Sequence, residues 1–578
     1  MNGDRRRLGG ARWVLKELMP GAADDIAKTL GLPAVVAAAL VNRGAATPEQ
    51  AREFLSGSID DLSDPLTMAG MSEAVALVRR AIDEGGAIRI YGDYDVDGVS
   101  ATALLVRALS ALGARIDYYL PHRLREGYGL SPAAVERAAA DGIRLLITVD
   151  CGIAAVEAIA QARTAGISVI VVDHHRPAEI LPDADAILNP GRPDCAYPFR
   201  YLAAVGVAYQ LVSALSRALG VPREAPFRFL DLVALGTVAD VVPLLGENRI
   251  LLREGLRRLR DTRKIGLQAL IRVCGLDPSR LGSHHIAFAL GPRLNAAGRI
   301  EHAKAAAQLL LTTDKEEAER LAAELDRYNV QRQEEERRTL EQAEAMINES
   351  VDLERDWVIV LAREGWHLGV VGIVASRLVD RYRRPAVLIA LEQGAGRGSG
   401  RSIPEFHLWD ALDAAREHLH QFGGHAMAAG LTISESQVAG LRQALNEYAR
   451  QHLRPEALEP TIVFDAWARP SELTTEVVSD LNTLAPFGAG NPTPVLASRN
   501  LTLQGIDPLG ANADHVRLRL AESARGCSAE AVWFDCADFV NQLAVGQTVD
   551  VCFVPEIDEW RGGCSVRLRV RDLTVGGD

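Results

Sequence analysis

The residues best suited to chemistry are carboxylates and imidazoles that each follow a short apolar run. Gly92-Asp93-Tyr94-Asp95-Val96-Asp97-Gly98 places three aspartates at alternate positions after the first such run. In a partly buried loop these carboxylates would repel one another strongly, and hard divalent cations, which take oxygen ligands, are the natural compensation. Asp150 ends the run Leu145–Val149, and Asp173-His174-His175 ends the run Val169–Val172. A further aspartate, Asp240, lies in the otherwise apolar stretch Gly236–Pro243. A carboxylate buried there needs a partner, and a metal would serve.

Taken singly, an Asp after a strand is ordinarily a turn or helix-capping residue, and a His-His pair is ordinarily structural. It is the conjunction that points to a site. A set dominated by carboxylates, with one or two imidazoles, favours Mn2+ or Mg2+ over zinc and two ions over one. Paired ions about 3.5–4 Å apart are typical of phosphodiester hydrolysis.

These groups meet only if the elements carrying them bring the run ends together. From Ala87 onward short β-rich runs alternate with helical ones: strands at 87–92, 115–120, 144–149 and 167–172, and helices at 99–112, 132–140 and 154–165. Such alternation implies a parallel sheet with right-handed crossovers, whose strands deliver ligands beyond their carboxyl ends. Thr313-Asp314-Lys315-Glu316 reads as a capping box opening a helix that runs to Ile347. About 35 residues make it roughly 50 Å long. Apolar residues cluster at its two ends, while Asn329 to Arg338 is almost wholly polar. That pattern suits a bridge between two domains with a solvated middle, or a charged surface helix on one domain.

A second α/β unit follows, with strands at 357–362, 386–391 and 431–433, and 454–460 reads as a linker. Gly394 to Ser402, with Arg397 and Arg401, reads as a flexible loop able to offer backbone N–H groups and guanidinium to phosphate; a glycine-rich turn without a ligand has the same composition. The remainder alternates strictly, as in His515–Leu520 and Val566–Val570, the mark of half-buried strands in a small barrel. Arg517, Arg519, Arg567 and Arg569 project from these strands, with Trp533, Phe534 and Trp560 available for base stacking. That combination suits a module tracking a single strand, although any barrel with a solvated charged face shows it too.

The bulk properties exclude more than they assign. At 578 residues the chain is long enough for three or four domains, and 48% hydrophobic with 24% charged residues is ordinary for a globular protein. No apolar run is long enough to span a membrane, and the basic N-terminus lacks the apolar stretch of a secretory signal. Seven scattered cysteines without a CxxC pair predict reduced thiols in a cytoplasm. No GxxxxGK[ST] sequence occurs, so an ATP-driven motor is not indicated. The net charge of −13 argues mildly against a nucleic-acid partner, but carboxylates that hold cations are cancelled locally and a basic groove can coexist with an acidic exterior.

Asp-x-Asp-Gly after the first strand, the isolated Asp after the next, Asp-His-His and the later Asp resemble, in that order, the four motifs of the DHH phosphoesterases. The resemblance is closer still to the RecJ family, in Tyr91–Gly98, Gly236–Pro243, Gly291–Arg299, Gly365–Arg377 and Pro486–Pro492. Phe422–Gly430 resembles the signature of the DHH-associated domain, with Phe422 where relatives often carry a third glycine.

The resemblance implies an α/β fold: a parallel-sheet DHH domain joined by a long helix to a smaller α/β DHH-associated domain, plus a C-terminal OB-like β-barrel. The corresponding ranges are a helical region at 1–80, then 81–312, 313–350, 351–453 and 460–578. It makes Asp95, Asp97, Asp150, His174 and Asp240 metal ligands, with Asp93 supporting or joining them. His175 becomes the phosphate-facing group, Arg293, Asn295 and Arg299 become contacts to substrate phosphate, and His425 becomes a further substrate contact. The implied activity is 5′→3′ hydrolysis of single-stranded DNA to 5′-mononucleotides in recombination and repair. A single-stranded-DNA-binding protein and a helicase are the implied partners. Two other readings are a DHH phosphodiesterase on very short RNA or cyclic dinucleotides, whose members usually lack the long helix and the barrel, and a non-enzymatic replication scaffold, which the intact ligand set opposes.

Overall fold

Leu145–Val149 is buried at every position, as a parallel strand covered on both faces must be. It occupies the centre of a five-stranded parallel sheet ordered Arg115–Tyr119, Ala87–Tyr91, Leu145–Val149, Ser168–Val172, Ala186–Leu188. The pairs Tyr91↔Thr148 and Val149↔Val172 align the carboxyl ends of the three central strands. Gly92, Asp150 and Asp173 therefore leave the sheet side by side.

The computed structural model describes residues 6–7, 10–16, 19, 21–123, 125–510, 514–522, 527–558 and 565–576. It divides into two compact units, Ile59–Leu458 and Met1–Ser58 with Glu459–Asp578. Among the described residues no helix is long and apolar enough to cross a membrane.

Within Ile59–Leu458 the helix Lys315–Ser350 joins two hydrophobic cores. Leu321 and Leu325 belong to the core of the parallel sheet, whereas Ala343 and Ile347 belong to that of a second, five-stranded sheet. Its N-cap is Asp314, whose side chain accepts from the Glu317 amide at 2.8 Å, one residue later than the capping box read at Thr313. Its middle is not simply solvated. Asn329, Glu336 and Thr339 are buried, and Arg332 binds Glu336 at 2.6 Å and Asn329 at 2.9 Å, while Arg377 also pairs with Glu336. A polar run can thus be an interior stripe when ion pairs hold its charged groups, a distinction composition does not carry.

The second sheet runs Gln421–Gly424, Ala428–Ser434, Ala395–Arg401, Ala386–Glu392, Ile359–Glu364. Here the reading of Gly394–Ser402 as a flexible loop is corrected. Ala395–Arg401 is the central strand, paired along its length on both sides. Its backbone N–H groups are consumed by the ladder and cannot cradle phosphate. Gly396, Gly398 and Gly400 face inward at alternate positions, where a Cβ would lie 2.7 Å from Ile389, 3.0 Å from Ile389 and 2.8 Å from Leu408. Arg397, Ser399 and Arg401 share the opposite face.

In the other unit, Leu496–Leu509, His515–Glu522, Ser528–Trp533, Ser565–Val575 and Thr548–Asp558 close on one another as a five-stranded barrel. The helices Ala22–Leu30, Ala34–Val41 and Pro48–Ser56 contribute to the same core, whereas the helix Met71–Asp83 belongs to the parallel-sheet core. Arg43 is buried against Asp465 (3.1 Å) and the Asn491 carboxamide oxygen (2.6 Å), and the Asn491 amide donates to the Leu484 and Pro486 carbonyls, both at 2.8 Å. The Pro486–Pro492 motif thus ties the N-terminal helices to the barrel.

Candidate active site

The first carboxylate loop is shaped by glycine. A Cβ on Gly92 would lie 2.1 Å from Thr102 Oγ1, and one on Gly98 would lie 2.7 Å from the Asp93 amide. The loop therefore folds tightly onto the helix Val96–Ala111, which Asp95 caps by accepting from the amides of Asp97 (2.9 Å) and Gly98 (3.1 Å). Asp97 points inward, its carboxylate accepting the amides of Ala204 (2.7 Å) and Val205 (3.0 Å) at the start of the helix Ala204–Ala218. Asp240 follows the last residue of the helix Leu230–Ala239, which approaches so closely that a Cβ on Gly236 would lie 2.4 Å from Asp97 Oδ1. Asp150 and Val241 adopt left-handed backbone with φ of 62° and 61°, an unfavourable conformation that clusters at functional sites.

Three overlapping groups of ligand-type atoms result: Asp150, His174 and His175; Asp97, His174 and Asp240; and Asp93, Asp95 and Asp150. Within each group the ligand atoms lie within 4.8 Å of one another. All six residues expected as ligands or their support, with His175, are thus together. Asp150 Oδ1 and His174 Nε2 stand 3.2 Å apart, and His174 Nε2 is 3.5 Å from Asp240. Asp150 Oδ1, His174 Nε2 and Asp93 Oδ1 are buried without a hydrogen-bond partner. Buried oxygen and nitrogen acceptors left unpartnered among clustered carboxylates suit divalent cations, which take such ligands.

The electrostatics agree. Burial, then repulsion from Asp97 and Asp95, pushes Asp240 up to about 9. Asp97 rises to about 7 through burial and Asp95, and Asp93 and Asp150 are driven well above the carboxylate range for the same reasons. His174 falls to about 4 through burial and the charge of His175, leaving a neutral imidazole able to ligate.

His175 differs. Burial acts to lower its pKa, but the hydrogen bond and charge of Asp173 prevail and raise it. Asp173 Oδ1 meets His175 Nδ1 at 2.7 Å and also accepts the backbone amides of His174 (2.8 Å) and His175 (3.1 Å). Tyr128 donates to the Asp150 carbonyl at 3.0 Å and stands 3.2 Å from His175 Nδ1.

Beside the acidic cluster lies a basic one. Arg123, Arg401 and Arg332 each depress the pKa of Arg299, after its burial, while Asp95 supports it. Arg123 also depresses Arg401, and Arg401 and His175 both act on His425. Arg299 donates to the Gly369 carbonyl at 3.1 Å, and Arg401 to Ser399 at 2.9 Å. Arg397 is exposed on the strand face shared with Arg401.

Two anticipated phosphate contacts behave otherwise. Arg293 is tied to Asp326 (2.8 Å) and the Ala289 carbonyl (3.0 Å), so it does not join the cluster. Asn295 uses its oxygen to accept the Val96 amide at 3.1 Å, bracing the first carboxylate loop. The sequence singles out neither Tyr128 nor Arg123, and it marks Asp173 with the His pair but gives it no role. Asp173 was within reach as the strand-end carboxylate preceding the His pair, whereas nothing local distinguishes Tyr128 or Arg123 in their irregular loop.

On the barrel, Trp533 is buried and stacked on Phe539 with ring centroids 5.6 Å apart, which corrects its reading as a base-stacking residue. Position 533 faces inward in the strand alternation, and Phe534, which follows it, is 43% exposed. Arg517 pairs with Glu530 (3.2 Å), Arg567 with Glu556 (3.3 Å) and Asp558 (3.4 Å), and Arg569 with Glu556 (2.5 Å), so three of the four arginines face carboxylates. Arg519 is exposed. Trp560 lies outside the described residues.

Comparison with known proteins places these domains. Residues 87–237 match the DHH family, N-terminal domain, 356–451 the DHHA1 domain, and 464–572 the RecJ OB domain. The single-stranded-DNA-specific exonuclease RecJ of Bacillus subtilis is 40% identical over 566 residues, 98% of this chain and 71% of that protein. The crystal structure of RecJ from Thermus thermophilus in complex with Mn2+ superposes with a TM-score of 0.85 at 31% identity, covering 99% of this chain and 80% of that one. The Mg2+ complex of the same protein gives 0.79 at 30%, covering 99% and 79%.

Proposed function

Because the chain belongs to the RecJ family of exonucleases, we propose that it degrades single-stranded DNA from the 5′ end, releasing 5′-mononucleotides, in recombination and repair. The observation carrying this reading is the buried convergence of unpartnered Asp150 Oδ1 and His174 Nε2 beside a cluster of guanidinium groups.

Asp95, Asp97, Asp150, His174 and Asp240 would hold two divalent ions, Mn2+ or Mg2+, with Asp93 supporting or joining them. Such ions, when bound, activate water and stabilise the leaving oxygen. The chain's own groups do the rest. Asp173 meets His175 Nδ1 and raises its pKa, which favours the protonated form that would present an N–H to the scissile phosphate as charge develops there. Arg123, Arg299 and Arg401, with His425, offer a basic pocket to a terminal phosphate. A 5′-phosphate seated there leaves the next phosphodiester facing the acidic cluster, which gives the polarity and the mononucleotide product. Arg397 would extend the contact, and exposed Arg519 and Phe534 are the barrel residues best placed to touch a strand. A helicase would supply the strand and a single-stranded-DNA-binding protein would keep it open.

The test is digestion of single-stranded DNA, RNA and a cyclic dinucleotide with Mn2+ present. Early release of a 5′ label as mononucleotide from DNA alone is expected. Earlier release of a 3′ label, or equal rates on RNA or the cyclic dinucleotide, would overturn the reading.

A further inference from the structure

Two helices that carry metal-site carboxylates run antiparallel, and their far ends border a second feature. Asp97 and Asp240 mark one end of the pair Val96–Ala111 and Leu230–Ala239, while Arg107 and Asp231 lie toward the other. Ten residues of helix put Arg107 about 15 Å from Asp97. There the surface opens into a recess of about 1120 Å³, lined by six cationic side chains and three carboxylates.

The carboxylates are largely committed. Asp231 is buried and takes Lys264 at 2.6 Å and the Thr262 hydroxyl at 2.7 Å, and Glu254 takes Arg257 at 2.8 Å. Among the described residues Asp261 is the lining carboxylate that no ion pair engages, and it shares the recess with Arg107, Arg228, Arg258 and Arg263. Arg107 donates to the carbonyls of Leu310 (2.8 Å) and Thr312 (3.4 Å), which fixes its guanidinium at the wall. No ion pair engages Arg258 or Arg263 among the described residues, and both are exposed. Burial lowers the Lys264 pKa against the pull of Asp231, and Arg107 and Arg228 lower it further, so these cations still repel one another. The helices Leu230–Ala239 and Ile265–Val273 begin at this wall, adding their positive ends. Cations outnumber carboxylates in the lining by six to three. Val106, Phe229, Ile265 and Leu311 supply an apolar portion of the lining.

We propose that this recess binds a compact polyphosphate anion, a nucleoside diphosphate being the ligand whose phosphates suit the arginines and whose base suits the apolar wall. The cations line one recess beside an apolar wall, which favours a small anion over a strand of nucleic acid. The inference does not rest on the nuclease reading.

Calorimetry on the full chain in EDTA tests it, with ADP and inorganic pyrophosphate as probes. ADP should bind the wild type and Asp95→Ala equally, while Arg258→Glu/Arg263→Glu weakens it by about tenfold or more. Both arginines are exposed, so the double variant should keep the wild-type melting transition. No ADP binding at about 1 mM, where weak site affinities begin, overturns the proposal. So does a loss caused by Asp95→Ala in place of the arginine pair. Pyrophosphate binding without ADP binding overturns the role of the apolar wall, and a single-stranded oligonucleotide that binds through Arg258 and Arg263 where ADP does not makes the recess a nucleic-acid contact.

Discussion

Replacing Asp240 with asparagine should stabilise the metal-free protein at pH 8 while abolishing hydrolysis. The Asp240 carboxyl, ordinarily at 3.8, is pushed up to about 9 by burial and by Asp97, Asp95 and Asp173. A carboxyl raised in this way contributes its full stability only below its unfolded pKa, and that contribution is lost as pH climbs toward the folded value. About four pH units of the climb lie below pH 8, which at about 1.4 kcal/mol each amounts to roughly 6 kcal/mol for an isolated group. Asp93, Asp97 and Asp150 are raised by overlapping neighbours, so a proton on one relieves the rest and the share of Asp240 alone falls to about 2–4 kcal/mol. Asparagine carries no charge and escapes that cost. Melting in EDTA at pH 5, 6.5 and 8 should show a gain that is small at pH 5 and grows with pH. With Mn2+ the order should invert, because only the wild type gains from ion binding. A variant less stable than wild type in EDTA, or a gain independent of pH, would refute the argument that these carboxylates are held together against their own repulsion.

The remaining predictions concern the proposed roles. Asp95→Ala and Asp150→Ala should unfold as cooperatively as wild type but lose hydrolysis, and turnover above about a tenth of wild type at saturating Mn2+ would remove either from the ligand set. His175→Ala should keep Mn2+ binding by calorimetry and lose turnover, while Asp173→Asn, which weakens the support holding the His175 pKa up, should move the alkaline limb of the pH–rate profile to lower pH. Arg401→Ala should erase the preference for a 5′-phosphate over a 5′-hydroxyl end, and an unchanged preference would place the terminal phosphate elsewhere. Residues 59–458, which hold both sheets and the long helix, should hydrolyse short oligonucleotides but bind long strands more weakly and with a shallower salt dependence; equal affinity would show the barrel face to be only solvated.

The sequence by itself determined the backbone plan and the ligand types. Strand runs such as Leu145–Val149 and the carboxylates that follow them are legible because β-runs, turn glycines and strand-end placement are local properties of the chain. The apolar ends of the long helix made it in the same way a candidate bridge between two cores, with a charged surface helix as the alternative. Tertiary structure decided what each polar side chain meets. Arg293 and Arg299 lie on one ten-residue helix, yet the first is taken by Asp326 and the second enters the basic cluster. The stripe Asn329, Arg332 and Glu336 reads as solvated, yet Asn329 and Glu336 are buried and Arg377 from another helix pairs with Glu336. Gly394–Ser402 has the composition of a loop, yet Ala395–Arg401 within it is a central strand, because only its neighbours could reveal that three alternate glycines make room for Ile389 and Leu408. Periodicity follows from backbone geometry within one segment, whereas the partner of a charge is set by residues distant in sequence, whose approach depends on how the cores close.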